Sequence, residues 1–401
     1  MRIAFIAPYQ GTTLCERRPI TGNFGLGATA KMRILAELLR RSSHEVEIFS
    51  QGEVIDSKVT YYPRLSEWAT AAGEIPVRYA SAIPLRGVNA LWSTTSLRRL
   101  FKKHHRRQPY DLVLIYNLKP PQVTCADYAI RHGLPVVMEY EDDQFLEIWE
   151  PNFSRFTSNV WEKQARQLLP RVSGCVAGSA DLLAQVGEVP KLLLPGVIDH
   201  AIITEGERSN GRRNWVVFSG THSRYQGLTS LITSWRQTPQ PGWELHIAGH
   251  GEITSELHAL AADDPTIVFH GVLDRDANAR LLTQGKISVV AYEVEKTRGF
   301  SFKTLECLGA GLHVITTRLT ALSALDPELK TGLTYLDGND PDTISACLTS
   351  VINDRRYEQT SRDEAIARYG PDAVQRSLNA FLLSICHSHA AQLGDARPAL
   401  I

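Results

Sequence analysis

Residues Arg298–Thr316 have the sequence RGFSFKTLECLGAGLHVIT, which is typical of a helix followed by a buried strand. The pattern predicts a helix from about Phe302, and Gly309 and Gly311 end that helix before the apolar run Leu312–Thr316. A short, continuous apolar run is typical of a parallel strand that is buried on both faces. This stretch is therefore one unit of an alternating α/β fold.

The same alternation recurs along the whole chain. A first helix is predicted at Ala28–Arg41, where apolar residues recur at helical spacing. Strands that alternate with helices in this way predict doubly wound α/β sheets. Further apolar runs predict buried strands at Ile3–Ala7, Glu45–Phe49, Leu112–Ile115, Pro135–Met138, Gly174–Ala177, Trp215–Phe218, Trp243–Ala248, Thr266–Phe269 and Ile287–Ala291.

The pattern breaks at Pro195–Asn214, where Gly, Pro, Ser, Asn and mixed charges predict a linker between domains. The fold class that we predict is α/β, with two Rossmann-like domains facing across a cleft. Residues 1–194 would form the first domain, residues 195–380 the second, and residues 381–401 a C-terminal helix end and tail. Open α/β sheets bind ligands at the carboxyl ends of their strands, so function is expected in the loops that follow strands.

The composition excludes some classes of protein. The 43 Lys and Arg residues balance 43 Asp and Glu residues in a chain of 401, so no nucleic-acid partner is expected. Six cysteines show neither a CxxC motif nor zinc-ligand spacing, which is typical of reduced thiols in a cytoplasmic protein. The first apolar stretch reaches only Pro8, which is too short for a signal peptide, and no apolar run approaches the roughly 20 residues that span a bilayer.

Lys303 and Glu306 lie one turn apart on the predicted helix near Phe302. A helix N-terminus offers free N–H groups and a positive dipole end, so backbone and Lys303 together could hold a phosphate. Glu306 could accept hydrogen bonds from a ribose diol, as an acidic residue does in dinucleotide folds. The alternative is a solvated ion pair between the two side chains.

Several motifs follow one another in a fixed order. The first half has an opening strand with a glycine-rich loop, then HEVEIFS (44–50), PYDLVLIYN (109–117) and GLPVVMEYEDD (133–143). LLPGVID (193–199) leads into VVFSGTHSRYQG (216–227), WELHIAGHGE (243–252), TIVFHGVLDRD (266–276) and FKTLECLGAGLHVIT (302–316). In this order and spacing they resemble the GT-B glycosyltransferases, most closely bacterial members of family 4, the glycosyl transferases group 1.

The resemblance implies a retaining, metal-independent glycosyltransferase that moves a hexose from a UDP- or GDP-sugar to an acceptor hydroxyl. The nucleoside diphosphate sugar would be a co-substrate, and no cofactor is implied. The first domain would bind a glycan, a lipid-linked molecule or a small molecule as acceptor, in bacterial glycan or glycoconjugate synthesis. The second domain would bind the donor through Gly220, Arg224, His250, Gly251, Arg298, Gly299, Phe300, Ser301, Lys303, Thr304 and Glu306.

The donor motifs depart from the family pattern at several positions. Arg298 stands where the family commonly has a Glu that contacts the transferred sugar, and Ser301 replaces a Gly. Thr221 and Gln226 stand where the family has the Arg and Lys that clamp the phosphates. A diphosphate needs cations near its oxygens more than at fixed positions. Equivalent charge could come from Arg224, Arg298 and Lys303.

Three acids, Glu141, Asp142 and Asp143, follow the strand near Pro135–Met138. Glu141 or Asp142 could act as a base toward an acceptor hydroxyl or could hold hydroxyls of the sugar, and like-charge repulsion is expected to raise one pKa. The alternative is a solvated acidic loop, or a helix N-cap from Asp142 or Asp143. The run Glu141–Asp143 could also hold Mg²⁺, but the resemblance implies that helix dipoles and cations neutralise the leaving diphosphate instead of a metal. The histidines lack ligand-like spacing, so no metal site is predicted.

The loop GNFGLG (22–27) contains Gly25 and Gly27. In the resembled family, this loop reaches toward the donor phosphate and the acceptor. A nicotinamide-dinucleotide site is the alternative, but the spacing is not GxGxxG, and no acid follows the second strand.

The segment Arg98–Arg107 holds six Lys or Arg residues, with Leu97, Leu100 and Phe101 on one side of the predicted helix. Such a segment could dock on anionic lipid at the inner face of the membrane. A solvated surface helix anchored by the three apolar residues is the alternative.

Two other functions remain open from the sequence. A nucleotide-sugar epimerase can have the same fold. The substitutions at Thr221, Gln226 and Arg298 are also compatible with a non-catalytic partner that binds nucleotide sugars.

Overall fold

The computed structural model describes residues 1–19, 26–52, 54, 59–70, 72–85, 88–143, 145, 155–209, 211–293, 302–319, 322 and 329–395. By their contacts, the described residues form two compact units. The first comprises residues within Met1–Thr21, Ala28–Leu194 and Gln375–Ile401, and the second consists mainly of Pro195–Val374. The chain thus returns to the first unit at Gln375, whereas the sequence pattern predicts a second domain that extends to residue 380.

The first unit is built on a sheet of eight described strands in the order β3-β4-β2-β1-β5-β6-β7-β8. These are β1 (Arg2–Ile6), β2 (Glu45–Ser50), β3 (Leu65–Trp68), β4 (Pro76–Tyr79), β5 (Leu112–Tyr116), β6 (Val136–Tyr140), β7 (Gly174–Ala177) and β8 (Lys191–Leu193). All pair in parallel except β3, which runs antiparallel to β4. Every residue of β5 and β6 is buried, as expected of central parallel strands that are covered on both faces.

The helices that cover this sheet alternate with its strands. They are α1 (Thr12–Arg17), α2 (Leu26–Arg41), α3 (Val88–Arg107), α4 (Pro120–Arg131), α5 (Arg155–Leu168) and α6 (Ala180–Ala184). Leu97 and Phe101 of α3 are fully buried and belong to the same apolar core as Val113 and Ile115 of β5. The apolar face of the basic segment is therefore occupied by the protein's own sheet.

The second unit has a fully parallel sheet of six described strands in the order β11-β10-β9-β12-β13-β14. The strands are β9 (Trp215–Ser219), β10 (Glu244–Ala248), β11 (Ile267–Gly271), β12 (Ile287–Val290), β13 (His313–Thr317) and β14 (Leu333–Leu336). The helices are α7 (His200–Arg208), α8 (Leu228–Gln237), α9 (Thr254–Ala261), α10 (Arg275–Gln284), α11 (Phe302–Gly309), α12 (Pro341–Asn353) and α13 (Arg362–Tyr369). Because the strands are parallel, the loops after β9, β10 and β12 all begin at one edge of the sheet.

Part of the predicted linker is helical. Within Pro195–Asn214, Asp199 caps α7 by accepting a hydrogen bond from the backbone N–H of Ala201 at 2.9 Å. The same carboxylate also pairs with Arg275 at the start of α10. The predicted linker segment therefore contains a short helix, which a side-chain cap and an ion pair stabilise.

The last helix, α14 (Pro371–Asp395), packs on the first unit from Gln375 onward. His44 hydrogen-bonds Asn379 at 2.7 Å, and Gly174 lies so close to Phe381 and Ile385 that a Cβ there would come within 3.0 Å of both side chains. None of the helices in the described part of the chain is both long enough and apolar enough to span a bilayer.

Candidate functional site

Lys303 lies in the first turn of α11, beside the loop that follows β9. Its ammonium donates a hydrogen bond to the side-chain carbonyl oxygen of Gln226 and lies 4.7 Å from the centre of the Phe218 ring. Gly220 permits this approach, because a Cβ atom there would overlap Cε of Lys303. The structure therefore brings Gly220 and Lys303 together, as members of what we call the Lys303 cluster: Phe218, Gly220, Gln226, Lys303 and Glu306.

Glu306 follows Lys303 by one turn, but the two side chains form no ion pair, which excludes the solvated pair that the spacing allowed. Burial lowers the pKa of Lys303 to about 7, although the nearby Cys307 and Glu306 oppose that shift. Burial and the carboxylate of Asp199 raise the pKa of Glu306 to about 8, and Lys303 opposes this shift. An acid and a base whose pKa values are both strongly perturbed are typical of a binding or catalytic site.

The loops after β9 and β10 are held together at His222. Its backbone N–H donates to the carbonyl of His250 at 3.1 Å, and a Cβ on Gly251 would overlap the His222 carbonyl. The His222 ring is buried and hydrogen-bonds Thr254 at 3.0 Å, and burial lowers its pKa to about 4. A neutral, buried His222 thus positions the exposed His250 beside the loop that carries Gly220.

Of the other predicted donor-binding residues, Arg224 and Thr304 are not members of the Lys303 cluster, and four lie outside the described residues. The guanidinium of Arg224 makes two hydrogen bonds, at 2.5 and 3.1 Å, with the carboxylate of Glu256 on the exposed surface of α9. Thr304 is fully buried in α11. Arg298, Gly299, Phe300 and Ser301 lie outside the described residues.

The acids after β6 surround a buried lysine of α2. Lys31 is 2% exposed, and its ammonium contacts Glu139 at 2.6 Å and also contacts Glu141. Burial by itself would lower the pKa of Lys31. The attraction of the carboxylates of Glu139 and Glu141 outweighs this effect and raises that pKa to about 12. Burial and the neighbouring Glu141 raise the pKa of Glu139 well above its usual value. We call Lys31, Asn117, Glu139, Glu141 and Asp142 the Lys31 cluster.

Asn117 fixes the loop that carries Glu141 and Asp142. Its side-chain oxygen accepts hydrogen bonds from the backbone N–H groups of Glu141 at 2.8 Å and Asp142 at 3.2 Å, and its amide donates to the Asp142 carboxylate at 3.0 Å. Asn117 has a φ of 59°, a conformation that asparagine tolerates better than most residues. Burial and Glu141 raise the pKa of Asp142 to about 6, so this carboxyl exchanges its proton near neutral pH.

Three other predictions for the first half of the chain can be compared with the structure. Asp143 is buried and accepts hydrogen bonds from Phe145 and Gln185, so it is not part of a solvated loop. Gly27 lies in the first turn of α2 and not in a loop, and a Cβ there would meet no atom within 4 Å. Gly25 lies outside the described residues. Among the residues with described positions, no group of three or more His, Cys, Asp or Glu side chains could hold a metal ion.

Sequence patterns missed three members of the Lys31 cluster. Lys31 and Glu139 each interrupt an otherwise apolar pattern, in α2 and in β6, and that interruption was the available signal. Asn117 directly follows the buried strand β5, where ligand-binding residues of α/β sheets occur. In the second unit, Gln226 was noted only as a departure from the family, although it is the hydrogen-bond partner of Lys303.

Comparison with known proteins matches both halves of the chain to glycosyltransferase families. A model of the Glycosyl transferase 4-like domain matches residues 27–190, and a model of Glycosyl transferases group 1 matches residues 213–354. No curated protein matches the sequence closely.

Solved structures with a similar fold span nearly the whole chain. Sucrose-phosphate synthase from Thermosynechococcus elongatus has a TM-score of 0.71 at 14% identity, covering 96% of this chain and 99% of its own. Anabaena Alr3699/HepE, solved in complex with UDP and glucose, has a TM-score of 0.64 at 16% identity. The match covers 95% of this chain and 99% of the HepE chain. A UDP-forming trehalose-phosphate synthase from Burkholderia xenovorans has a TM-score of 0.65 at 9% identity. The match covers 96% of this chain and 99% of the synthase chain.

These structures share the two Rossmann-like units described above, and the two family models together account for most of both units. Each half of the chain thus carries a glycosyltransferase family domain, and the chain is a glycosyltransferase of the GT-B fold class.

Proposed function

We propose that this glycosyltransferase moves a hexose from a UDP- or GDP-sugar to an acceptor hydroxyl in bacterial glycan or glycoconjugate synthesis. The second unit binds the donor, and the first binds the acceptor. The sugar keeps its anomeric configuration, and protein groups neutralise the leaving diphosphate without a metal. A nucleotide-sugar donor is supported by the similarity to HepE, which was solved with UDP and glucose bound.

The Lys303 cluster is the observation that carries this proposal. A lysine whose pKa is lowered to about 7 by burial regains its proton when a diphosphate supplies nearby negative charge. Gly220 has no side chain, so phosphate oxygens can approach both the backbone at Gly220 and the ammonium of Lys303. Glu306, one turn away, accepts hydrogen bonds from the ribose diol once it has lost its proton.

The Lys31 cluster supplies the acceptor side of the reaction. Asp142, with a pKa of about 6, can accept a proton from an acceptor hydroxyl at neutral pH. Glu141 is fixed by Asn117 and Lys31, and can hold hydroxyls of the transferred sugar or the acceptor. In a retaining reaction, the leaving diphosphate can share the deprotonation of the acceptor.

A thermal-shift screen with UDP, GDP, ADP, CMP and dTDP tests donor binding. A ligand at 100 times its dissociation constant stabilises the folded state by about 2.7 kcal/mol. We expect a shift with UDP or GDP that Lys303→Ala abolishes and that the exposed control Lys330→Ala preserves. Absence of a shift with every nucleotide would contradict the proposal.

Product analysis separates the alternatives for a protein that binds the nucleotide. Incubation with the matching nucleotide sugar and without an acceptor should leave the sugar unchanged. Interconversion of the sugar under these conditions identifies an epimerase. Binding without turnover on a panel of acceptors identifies a non-catalytic partner.

For a lipid-linked acceptor, we propose that the protein is cytoplasmic and touches the inner face of the membrane through α3. Lys103, Arg106 and Arg107 are exposed at its C-terminal end, and Leu91 is 68% exposed near its start. Co-sedimentation with vesicles of 30% phosphatidylglycerol tests this contact. Binding should fall with rising salt and with Arg106→Ala, because exposed charges are screened.

A further inference from the structure

The first unit has a second candidate binding pocket, between α3 and the segment before β3. Its volume is about 170 Å³. The pocket is lined by Tyr61, Arg64, Ser81, Trp92, Thr95, Ser96 and Arg99. We call it the Trp92 pocket. None of its residues belongs to the Lys31 cluster, and only Arg99 lies in a segment that the sequence singled out, the basic segment Arg98–Arg107.

Two aromatic side chains form one wall of the Trp92 pocket. The rings of Tyr61 and Trp92 meet edge to face with centres 6.3 Å apart, and 58% of Tyr61 and 36% of Trp92 are exposed. The indole N–H of Trp92 donates to the hydroxyl of Ser81 at 3.2 Å, and that hydroxyl lies 2.8 Å from the hydroxyl of Ser96. These hydrogen bonds fix the Trp92 ring, while part of the ring stays open to solvent. A fixed, exposed aromatic ring is a suitable surface for the C–H face of a sugar ring.

Two arginines supply the charge of the pocket. Arg64 and Arg99 are both exposed, and neither forms an ion pair with any residue in the described part of the chain. Trp92, Ser96 and Arg99 lie at positions i, i+4 and i+7 of α3, so they share one face of that helix. A guanidinium binds carboxylate, phosphate and sulfate oxygens with paired N–H donors. The pocket therefore combines an anion-binding function with an aromatic surface.

The Trp92 pocket and the Lys31 cluster lie at the same edge of the sheet. Ser81 follows β4, and β4 runs parallel to β2, so Ser81 lies at the carboxyl end of the strands, as Asn117 does. The order β4-β2-β1-β5-β6 puts four strand spacings between the two sites, or about 19 Å at roughly 4.8 Å per spacing. This separation is too long for one sugar ring and suits an acceptor of several linked units.

We propose that the Trp92 pocket is a distal acceptor subsite that binds an acidic sugar unit, one that carries a carboxylate, phosphate or sulfate group. Tyr61 and Trp92 pack on the sugar ring, Arg64 and Arg99 bind the acidic group, and the hydroxyl residues contact sugar hydroxyls. The pocket is smaller than the roughly 300–1,000 Å³ typical of sites for drug-sized ligands, so it fits a single unit. This inference rests on the proposed function, because that function makes the first unit the acceptor side.

Saturation-transfer NMR on the full chain tests the subsite with D-glucuronate, glucose 6-phosphate and D-glucose as probes. We expect both acidic sugars to bind at least about tenfold more tightly than D-glucose, because their anionic groups form charge-assisted hydrogen bonds with the two guanidiniums. Arg64→Ala and Arg99→Ala should each reduce acidic-sugar binding to the level of D-glucose. Arg41→Ala, which replaces an exposed arginine at the end of α2 and outside the pocket, should leave acidic-sugar binding unchanged.

Two further titrations exclude other occupants. If inorganic phosphate competes as well as glucose 6-phosphate, and Trp92→Ala has no effect, the pocket binds anions without recognising sugar, and the proposal is overturned. It is also overturned if neither acidic sugar binds while vesicles with 30% phosphatidylglycerol bind in a Trp92-dependent way. The UDP thermal shift of the same samples reports the proposed function separately, because Arg64 and Arg99 lie in the first unit.

Discussion

At the scale of single residues, Lys303 shows how packing sets a charge state. The side chain lies against an aromatic ring and next to a glycine, with one neutral hydrogen-bond partner in Gln226. Without a ligand, this environment disfavours the ammonium, and the pKa of Lys303 falls to about 7. The folded protein therefore binds fewer protons at this lysine than the unfolded chain does between about pH 7 and 10.

This difference predicts how stability changes with pH. A lysine whose pKa is lowered by folding makes the protein more stable as pH rises from the folded pKa of about 7 toward the unfolded value near 10.5. Between pH 9 and 10, above the pKa of about 8 of Glu306, we expect the free energy of unfolding of wild type to rise relative to Lys303→Met. The rise is at most about 1.4 kcal/mol per pH unit, and urea unfolding at the two pH values measures it.

The control for this prediction is Lys330→Met, which replaces an exposed lysine of the same unit. That variant should follow wild type at both pH values. Parallel pH curves for wild type and Lys303→Met would mean that folding leaves the Lys303 pKa unchanged, and the lysine would then be an ordinary solvated cation.

At the scale of elements, the Lys31 cluster joins α2 to the ends of β5 and β6. Lys31→Met leaves the buried carboxylates of Glu139 and Glu141 without their cation. Breaking a buried pair in this way typically costs about 3–5 kcal/mol. We expect most of that loss at pH 8 and much less at pH 5, because burial raises the pKa of Glu139 and this carboxyl can then be neutral in the variant. Urea unfolding at pH 5 and 8 measures the difference.

Arg41→Met is the matched control, since Arg41 is exposed at the end of the same helix. Its effect on the free energy of unfolding should stay within about 0.5 kcal/mol. If Lys31→Met were as stable as wild type at pH 8, the cluster would not depend on its ion pairs.

Only some of the elements could be predicted from the sequence. Strands β1, β5 and β6 were predictable, because buried parallel strands appear as continuous apolar runs. Strands β3 and β4 were not, since LSEW forms the edge strand, PVRY lies next to it, and both are only partly buried. Lys303 and Glu306 could be named from their helix, but the contact of Lys303 with Gln226 depends on how α11 packs against a loop 77 residues away. No local pattern encodes that packing.

At the scale of the whole molecule, the first unit is completed by the far end of the chain. Ile385 of α14 is 2% exposed and lies against Gly174 of β7. Ile385→Ala should destabilise the first unit by about 2–5 kcal/mol, because it leaves a cavity in a packed core. Binding of UDP to the second unit should be preserved. Urea unfolding with and without UDP follows the two units separately.

Ser384→Ala provides the control, because Ser384 neighbours Ile385 on α14 but is exposed. Ser384→Ala should shift neither the unfolding transition of the first unit nor that of the second. A loss of the UDP-dependent transition in Ile385→Ala would instead mean that α14 stabilises both units equally.

The return of α14 to the first unit sets an order of events during translation. About 180 residues separate Leu194 from Gln375, and a ribosome that adds roughly 5–20 residues per second needs on the order of 10–40 s to make them. During this interval the apolar groove that α14 will fill is open, and the residues Pro195–Val374 of the second unit are all made before Gln375 is added. We expect the half of the protein made first to finish folding last, and to depend on chaperones while it waits.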